Sequence, residues 1–336
     1  MDLITGSFHV ALPMGDPSCV GEARRHAALL SMECGFNDVQ AGRLALLVTE
    51  LGGNLVRHAR QGRLLLSVRP SQKEVEVLAI DSGPGIADLE LCMGDGFSTG
   101  GTPGTGLGAV RRLASGFDMH STVPEGTIIS VRVHAKPQAT RLHAIHVGAV
   151  SLAASGERIC GDAWAFAVDG EQATAIVADG LGHGPQAAEA AREAVATFLE
   201  DPTATPSDTL RRIHGRLRRT CGAAVAVLHA NAAAGTITTV GAGNVVGRVI
   251  SGVSDRSVLT ADGTAGRAIR TPVETTTPWP PHAVVILSSD GIATRWSSSC
   301  VTAALGRTPS VVAALVARDQ RRGYDDATVA VLQRRN

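Results

Sequence analysis

Residues 75–85, VEVLAIDSGPG, contain the pattern that decides the fold of the first part of the chain. The apolar run to Ile80 gives way at once to Asp81, Gly83 and Gly85, which predicts a strand that ends in a tight turn. The two glycines let the backbone turn sharply and approach a flat ligand closely. A carboxylate here can accept a hydrogen bond from an exocyclic amine such as that of adenine, although a plain turn has the same composition.

A helix is predicted before this strand. Residues 39–59 have apolar residues at helical spacing, and Glu50, Asn54 and His58 recur every four residues, which places them on one helix face. A carboxylate can orient or deprotonate a hydroxyl, and an amide oxygen can bind Mg²⁺, which prefers oxygen ligands. A solvated polar face explains the same spacing, so these residues gain meaning only from their neighbours.

A glycine-rich stretch, residues 94–108, follows the turn and leads into a further predicted helix. The free backbone N–H groups and the positive dipole at the start of a helix favour phosphate. Helix, strand, acidic turn and glycine-rich loop therefore follow one another in an order that indicates a nucleotide site.

Four short acidic motifs occur between residues 160 and 326, each beside an apolar stretch. They are Gly161-Asp162, Asp179-Gly180, Ser289-Asp290-Gly291 and Asp325-Asp326. Carboxylates at strand ends can converge although they are distant in sequence, and such a group can hold a pair of Mn²⁺ or Mg²⁺ ions. A metal pair lowers the pKa of a bridging water and binds phosphate oxygens during in-line attack. Because any single Asp-Gly is a common turn, only the ordered set predicts a metal site.

The predicted elements divide the 336 residues into two domains and a linker. We expect residues 1–137 to form the first domain and residues 144–336 the second. Residues 138–143 are the expected linker, because the apolar periodicity of helices and strands is interrupted there. The second domain has many strands with helices grouped in pairs, which predicts two packed sheets flanked by helices. The fold class is α/β, in its α+β form.

Composition excludes several function classes. The 31 basic residues equal the 31 acidic ones, so charge gives no reason to expect binding to nucleic acid or to an anionic membrane. No stretch approaches the roughly 20 apolar residues that span a bilayer, and Asp2, Asp16 and Glu22 interrupt any signal peptide. The six cysteines include no C-x-x-C pair, as is usual for thiols in a reducing compartment. We expect a cytoplasmic protein.

Residues 1 to about 135 resemble the GHKL ATPase fold, an α/β sandwich. The run Asp95-Gly96-Phe97-Ser98-Thr99 is similar to the serine/threonine kinases of the RsbT type in bacterial stress signalling. This resemblance implies ATP and Mg²⁺ as cofactors, with Glu50 as the catalytic base, Asn54 as the Mg²⁺ ligand and Asp81 at the adenine. The other implied nucleotide-binding residues are His58, Gly83, Gly85, Thr99, Gly104, Thr105, Gly106, Leu107 and Gly108.

The second half resembles the PPM metal-dependent serine/threonine phosphatases, in particular the SpoIIE and RsbX branch. The matching residues are 160–162, 177–184, 241–244, 288–291 and 324–328. By this resemblance Asp179 is the catalytic residue that bridges two Mn²⁺ or Mg²⁺ ions. The implied metal ligands are Asp162, Asp179, Gly180, Asp290, Asp325 and Asp326. His183 is either a general acid near the metals or a residue that stabilises its glycine loop.

The two resemblances together imply a bifunctional switch enzyme. It would be an ATP-dependent protein serine/threonine kinase and a metal-dependent phosphoserine and phosphothreonine phosphatase, acting on a STAS-domain partner in stress or sigma-factor regulation. One alternative is a phosphatase fused to a non-catalytic ATP-binding anti-sigma module that sequesters its partner, and another is that one half is a pseudoenzyme. A sigma factor or other downstream regulator is a further candidate partner, and a homodimer is left open.

Overall fold

The computed structural model describes residues 1–89, 92, 106–136 and 143–335. The chain divides into two compact units, one of His9–Thr140 and one of Met1–Phe8 together with Arg141–Asn336. Residues 138–142 of the predicted linker lie outside the described residues. Within the described ranges, no helix is both long and apolar enough to cross a membrane.

As far as residue 134 the chain contains both strands and helices. In chain order they are β1 (Asp2–Thr5), β2 (Val10–Pro13), α1 (Pro17–Glu33), α2 (Asp38–His58), β3 (Arg63–Arg69), β4 (Glu74–Ile80), α3 (Leu107–Leu113), β5 (Gly116–Thr122) and β6 (Gly126–His134). The N-terminal unit contains one antiparallel sheet in the order β2-β3-β4-β6-β5. Helices α1 and α2 contact this sheet, which gives the predicted sandwich.

Helix α2 carries much of the core of the N-terminal unit. It begins after Asn37, whose side-chain oxygen accepts hydrogen bonds from the backbone N–H groups of Val39 and Gln40 at 3.0 and 3.1 Å, an N-cap that satisfies otherwise unpaired donors. Its buried residues are Leu44, Leu47, Val48, Leu51, Gly52 and Leu55. Because the apolar stripe faces the sheet, the polar face with Glu50 is turned partly outward.

The other face of the sheet contains a buried ion network. The Arg69 guanidinium lies 2.8 Å from Glu76 and 3.2 Å from Glu74, and the His134 ring lies 3.2 Å from Glu74. Burial by itself would raise the pKa of Glu76, but the charges of Arg69, His9 and Arg132 outweigh it and lower that pKa to about 2. This network is therefore neutralised within the unit.

The C-terminal unit is built mostly of strands. Its further elements are β7 (Ile145–Leu152), β8 (Asp162–Asp169), β9 (Gln172–Gly180), α4 (Pro185–Glu200), α5 (Pro206–Arg216), β10 (Ala223–Asn231), β11 (Thr236–Ala242), β12 (Val246–Ile250), β13 (Asp255–Val258), β14 (Gly263–Thr264), β15 (Ala268–Ile269), β16 (Thr275–Pro278), β17 (Val284–Ser288), α6 (Ser299–Ala303), α7 (Pro309–Gln320) and β18 (Ala327–Arg334).

Two sheets of this unit pack against each other, in the orders β1-β8-β9-β10-β11-β16 and β13-β12-β17-β18-β7. A core that includes Phe166, Leu228, Val285 and Leu332 draws residues from both. Helices α4 and α5 contribute a second core on the first sheet, and α7 contacts β7 and β18. The predicted arrangement of two packed sheets flanked by helices is confirmed.

Strand β1 differs from the sequence-based expectation, which placed residues 1–8 in the first domain. It pairs antiparallel with β8 of the C-terminal unit, from Asp2 opposite Val168 to Thr5 opposite Ala165. The Asp2 carboxylate also lies 2.7 Å from the His143 ring. The physical reason is that β8 would otherwise be an unpaired edge strand, and the first residues of the chain cover that edge.

Candidate metal centre and nucleotide site

The sheet registers bring the acidic motifs of the C-terminal unit together. Strands β8 and β9 run antiparallel with Asp162 directly opposite Asp179. In the other sheet β17 and β18 pair with Ser288 opposite Val329, so Asp290 just after β17 and Asp325 just before β18 lie at the same end. The positions of these residues at strand ends thus explain how Asp162, Asp179, Asp290 and Asp325 come close together although they are distant in sequence.

Ser289 links the two sheets at this point. Its hydroxyl donates to Asp162 Oδ2 at 2.7 Å and accepts a hydrogen bond from the backbone N–H of Thr328 at 2.8 Å. The other carboxylate oxygen of Asp162, Oδ1, is buried and has no hydrogen-bond partner in the described part of the chain. A buried carboxylate oxygen without a partner is costly, and a cation is the usual ligand for it.

Asp162, Asp179, Asp290 and Asp325 form what we call the acidic group. Their carboxylates repel one another when they are ionised. Burial raises the pKa of Asp179 to about 9, and the charges of Asp162, Asp290 and Asp325 add to this rise. Burial likewise raises the pKa of Asp162 to about 7, although hydrogen bonds from Ser289 and Thr328 oppose the rise.

Asp290 belongs to the same group. Its Oδ2 accepts a hydrogen bond from the Asn244 side-chain amide at 2.5 Å, and its pKa is raised by burial and by the charge of Asp325. Asn244 and Ser289 were in the matching stretches but had no role assigned from sequence. Their contacts with Asp290 and Asp162 indicate that they orient these carboxylates.

The donor set fits a divalent cation, although the side chains do not stand in a finished coordination shell. Among the described residues, no three Asp, Glu, His or Cys side chains already form a group that could hold a metal ion. The partnerless oxygen of Asp162 and the raised pKa of Asp179 nevertheless mark a site that lacks positive charge. Hard oxygen ligands of this kind suit Mg²⁺ or Mn²⁺.

Asp326, which is also expected to be a metal ligand, has backbone partners for both of its carboxylate oxygens. Its Oδ1 accepts a hydrogen bond from the backbone N–H of Ala154 at 2.8 Å, and its Oδ2 accepts one from Gly161 at 2.9 Å. The residue is only 3% exposed. Because both oxygens are occupied by backbone donors, we assign Asp326 as an anchor that holds the loop before Asp162 in place.

Two neighbours of the acidic group have structural explanations. A Cβ on Gly180 would collide with the carbonyl of Ala187, so this glycine allows α4 to approach the end of β9 rather than making a turn. The His183 ring is 72% exposed and lies 3.1 Å from Glu157. This contact joins two loops and supports the loop-stabilising alternative for His183.

In the N-terminal unit, the acidic turn has the geometry that its glycines predict. Asp81 is buried, and its Oδ1 accepts a hydrogen bond from the backbone N–H of Gly83 at 2.9 Å. Gly85 has a φ of +79°, and a Cβ there would collide with the carbonyl of Thr122. Only glycine suits that position, because the left-handed conformation and the close approach both exclude a side chain.

The end of α2 lies beside this turn, since the backbone N–H of Ser82 donates to the carbonyl of Arg60 at 3.0 Å. Along the helix, Glu50 and Asn54 are half-buried and His58 is exposed. The structure adds Arg57, which was not predicted: its guanidinium donates to Asn54 Oδ1 at 2.9 Å. The expected Mg²⁺ ligand is therefore held by a neighbouring cation.

The second glycine motif is described only in part. Thr99, Gly104 and Thr105 lie outside the described residues. Gly106 immediately precedes α3, and Leu107 and Gly108 are buried in its first turn. The Leu107 side chain packs in the core of the unit, so its expected contact with a nucleotide is confined to its backbone.

Family profiles match both halves of the chain. Residues 15–133 match the histidine kinase-like ATPase domain, and residues 169–335 match stage II sporulation protein E, SpoIIE. The serine/threonine-protein kinase RsbT of Bacillus subtilis (strain 168) is 35% identical over 126 residues, which are 34% of this chain and 95% of RsbT.

Solved structures match the C-terminal architecture. One comes from work on the bacterial stressosome as a modular system adapted to control secondary messenger signalling; it has a TM-score of 0.53 and 25% identity, covering 56% of this chain and 99% of that one. RsbX in complex with magnesium has a TM-score of 0.53 and 20% identity, covering 59% of this chain and 99% of RsbX. At 20% identity, the likeness to RsbX shows a shared fold.

A histidine kinase-like ATPase domain implies ATP, and a phosphatase fold of the SpoIIE type implies a divalent metal. The chain belongs to the family of RsbT-related kinase-like ATPases through its N-terminal domain, which is fused in one polypeptide to a SpoIIE-type PPM phosphatase domain.

Proposed function

We propose that this chain is a two-way signalling enzyme that phosphorylates a serine or threonine of a STAS-domain protein and removes phosphate from such a protein. The observation that carries the phosphatase half is the mutually repelling pair of the buried Asp162 and the half-buried Asp179, with a carboxylate oxygen of Asp162 that lacks a partner in the described structure. Perturbed carboxyl groups of this kind mark functional sites.

In this proposal Asp162, Asp179, Asp290 and Asp325 hold Mn²⁺ or Mg²⁺, together with the Gly180 carbonyl. When bound, the metal supplies an activated water and stabilises charge on the phosphate. Ser289 and Asn244 keep the carboxylates of Asp162 and Asp290 oriented, and Asp326 holds the loop of Gly161. The protein therefore positions oxygen ligands and needs no side-chain nucleophile.

The kinase half is supported by the polar face of α2 beside the acidic turn. We assign Glu50 as the base that accepts the proton of the substrate hydroxyl, Asn54 as the Mg²⁺ ligand and Asp81 as the adenine contact. Arg57 then has to leave Asn54 Oδ1, or share it, when Mg²⁺ binds. The relatedness to the serine/threonine-protein kinase RsbT supports a protein hydroxyl as phosphate acceptor, and a STAS-domain substrate is what the resemblance to kinases of this type implies.

The test incubates the purified chain with candidate STAS-domain proteins and ATP-Mg²⁺, followed by Mn²⁺. We expect phosphate transfer and then its removal, and we expect Glu50→Ala to reduce transfer by about 10²- to 10⁴-fold, as for loss of a general base. Glu22→Ala, an exposed glutamate of α1, is the matched control. Absence of both reactions with every STAS protein would reject the proposal.

The same experiment separates catalysis from sequestration. If the N-terminal domain acts only by holding its partner, neither the parent chain nor Glu50→Ala will transfer phosphate, and the variant will still bind and inhibit the partner. If it is a kinase, the variant will lose regulation together with transfer. Partner binding is measured by co-sedimentation beside the transfer assay.

A further inference from the structure

Three large apolar side chains are exposed beside the acidic group. Ile159 is 37% exposed, Leu181 is 58% exposed and Tyr324 is 72% exposed. Each lies within three residues of a proposed metal ligand, because Asp162 follows Ile159, Gly180 precedes Leu181 and Asp325 follows Tyr324. Large apolar side chains exposed on several loops that border one polar centre mark a candidate interaction site.

The loops that carry these side chains are hydrogen-bonded to one another. Ser155 donates to the carbonyl of Gly323 through its backbone at 3.3 Å and through its hydroxyl at 2.6 Å. The backbone N–H of Gly180 donates to the carbonyl of Gly161 at 3.1 Å. The His183 ring lies 3.1 Å from the Glu157 carboxylate, and this contact joins the loop after β9 to the loop before β8. The three loops therefore border one and the same acidic group.

Arg322 adds a positive charge to this border. Its backbone N–H donates to the carbonyl of Gly291 at 2.8 Å, which places it next to Asp290. Its side chain is exposed, and its charge opposes the rise in the pKa of Asp290. In the described part of the chain Arg322 forms no salt bridge, so its guanidinium donors remain available for an oxyanion such as phosphate.

We propose that Ile159, Leu181, Arg322 and Tyr324, which we call the substrate rim, bind a phosphorylated protein segment with apolar residues on both sides of the phosphoserine or phosphothreonine. This inference rests on the proposed phosphatase function. Arg322 contacts the phosphate, and the three apolar side chains contact the flanking residues. A small phosphate ester would not use apolar contacts spread over three loops, whereas a protein segment would bury all of them.

The test measures the binding of fluorescein-labelled peptides to the full chain with Mn²⁺. Two peptides contain a non-hydrolysable phosphonate analogue of phosphoserine, flanked by leucine in one and by serine in the other; a third has leucine and an unmodified serine. Fluorescence anisotropy gives Kd. Hydrolysis of p-nitrophenyl phosphate by the same samples reports phosphatase activity independently of the three apolar side chains of the rim, whereas Arg322→Ala should also slow this hydrolysis because Arg322 contacts the phosphate in this proposal.

We expect the leucine-flanked phosphonate to bind at least about fivefold more tightly than the serine-flanked one, as follows from burial of exposed apolar side chains. Leu181→Ser and Tyr324→Ser should reduce this preference, and Arg322→Ala should weaken both phosphonate peptides but not the unmodified one. Val253→Ser and Leu259→Ser are controls, because these side chains are 99% and 74% exposed elsewhere in the unit. Thermal melts check that every variant is folded.

Equal binding of the two phosphonate peptides would overturn the proposal, as would a preference that survives in Leu181→Ser and Tyr324→Ser. Hydrolysis of p-nitrophenyl phosphate without a peptide preference rejects the substrate rim and leaves the phosphatase function standing. A peptide preference without any hydrolysis supports the rim as a binding surface and rejects the phosphatase function.

Discussion

Each unit of this protein contains a group of buried or half-buried carboxylates, and the two groups have opposite electrostatics. In the N-terminal unit, Glu76 lies 2.8 Å from Arg69 and its pKa is lowered to about 2. In the C-terminal unit, Asp162 and Asp179 face each other across two strands, and their pKa values are raised to about 7 and about 9. Both groups are shielded from water, so the opposite pKa shifts come from the neighbouring charges: arginine beside Glu76, and further carboxylates beside Asp162 and Asp179.

The comparison distinguishes a structural group from a functional one. Arginine neutralises the first group permanently, and its removal would leave a buried charge. The second group has Asp290 and Asp325 as further negative neighbours, so it gains from a cation that is bound from solution. Burial of acidic residues alone does not indicate a metal site; burial together with mutual repulsion does.

The largest expected effect is on turnover, from Asp179→Asn. This change removes one negative charge from the metal-binding group, and we expect phosphatase activity to fall by at least about a thousandfold, equivalent to several kcal/mol of transition-state stabilisation. Because Asp179 has a raised pKa, the metal-free variant should be as stable as the parent at pH 7 or more so. Phosphoprotein hydrolysis and thermal unfolding are measured together, with Asp262→Asn, whose side chain is 94% exposed, as control.

The reverse effect is expected for Glu76→Gln, which should leave phosphatase chemistry intact but destabilise the N-terminal unit. The change leaves the buried Arg69 guanidinium with Glu74 as its remaining carboxylate at 3.2 Å, and breaking a buried ion pair typically costs about 3–5 kcal/mol. Chemical denaturation monitored with a nucleotide analogue would report it, and Glu125→Gln at an exposed position is the control. A change below about 1 kcal/mol, the range of exposed pairs, would contradict the assignment of this network as structural.

The pH dependence of this pair has a definite sign. The pKa of Glu76 is lowered in the folded protein from an ordinary value of 4.5 to about 2, so its contribution to stability is present above pH 4.5. It is lost as the pH falls from 4.5 towards 2, because the unfolded state binds the proton first. Glu76→Gln should remove that part of the acid sensitivity.

Much of the fold and of the candidate site could be predicted from local patterns. The apolar spacing of α2 and the apolar runs of β3 and β4 are set by neighbours in sequence, so periodicity predicts them. The acidic motifs could be placed at strand ends for the same reason. Their convergence on one centre followed from the resemblance to known phosphatases, and the sheet registers explain it.

The residues that escaped prediction depend on contacts across the chain. Strand β1 has only four residues, all half-buried, and its partner β8 begins at Asp162. Asp326 resembles its neighbour Asp325 in sequence, yet its role is decided by backbone donors at Ala154 and Gly161. No local pattern contains such information, because these hydrogen bonds exist only after both sheets are assembled.

The smallest expected effect, and the one that tests the comparison most directly, is the response of stability to metal. At a free Mn²⁺ concentration of about 100 times Kd, binding should add about 2.7 kcal/mol to the C-terminal unit. The folded, metal-free protein keeps protons on Asp162 and Asp179 that the unfolded chain has already lost above about pH 4, so its stability falls as the pH rises towards 9.

Metal must displace these protons, so its apparent affinity should increase from pH 6 to pH 9. Calorimetric titration in two buffers of different ionisation enthalpy measures the protons released, and thermal melts with and without EDTA measure the stabilisation. The N-terminal network provides the internal control, because Glu76 is already ionised and paired across this range. Metal stabilisation that is independent of pH, or that persists in Asp179→Asn, would show that the C-terminal carboxylates do not exchange protons for metal, and the electrostatic contrast with the N-terminal network would fail.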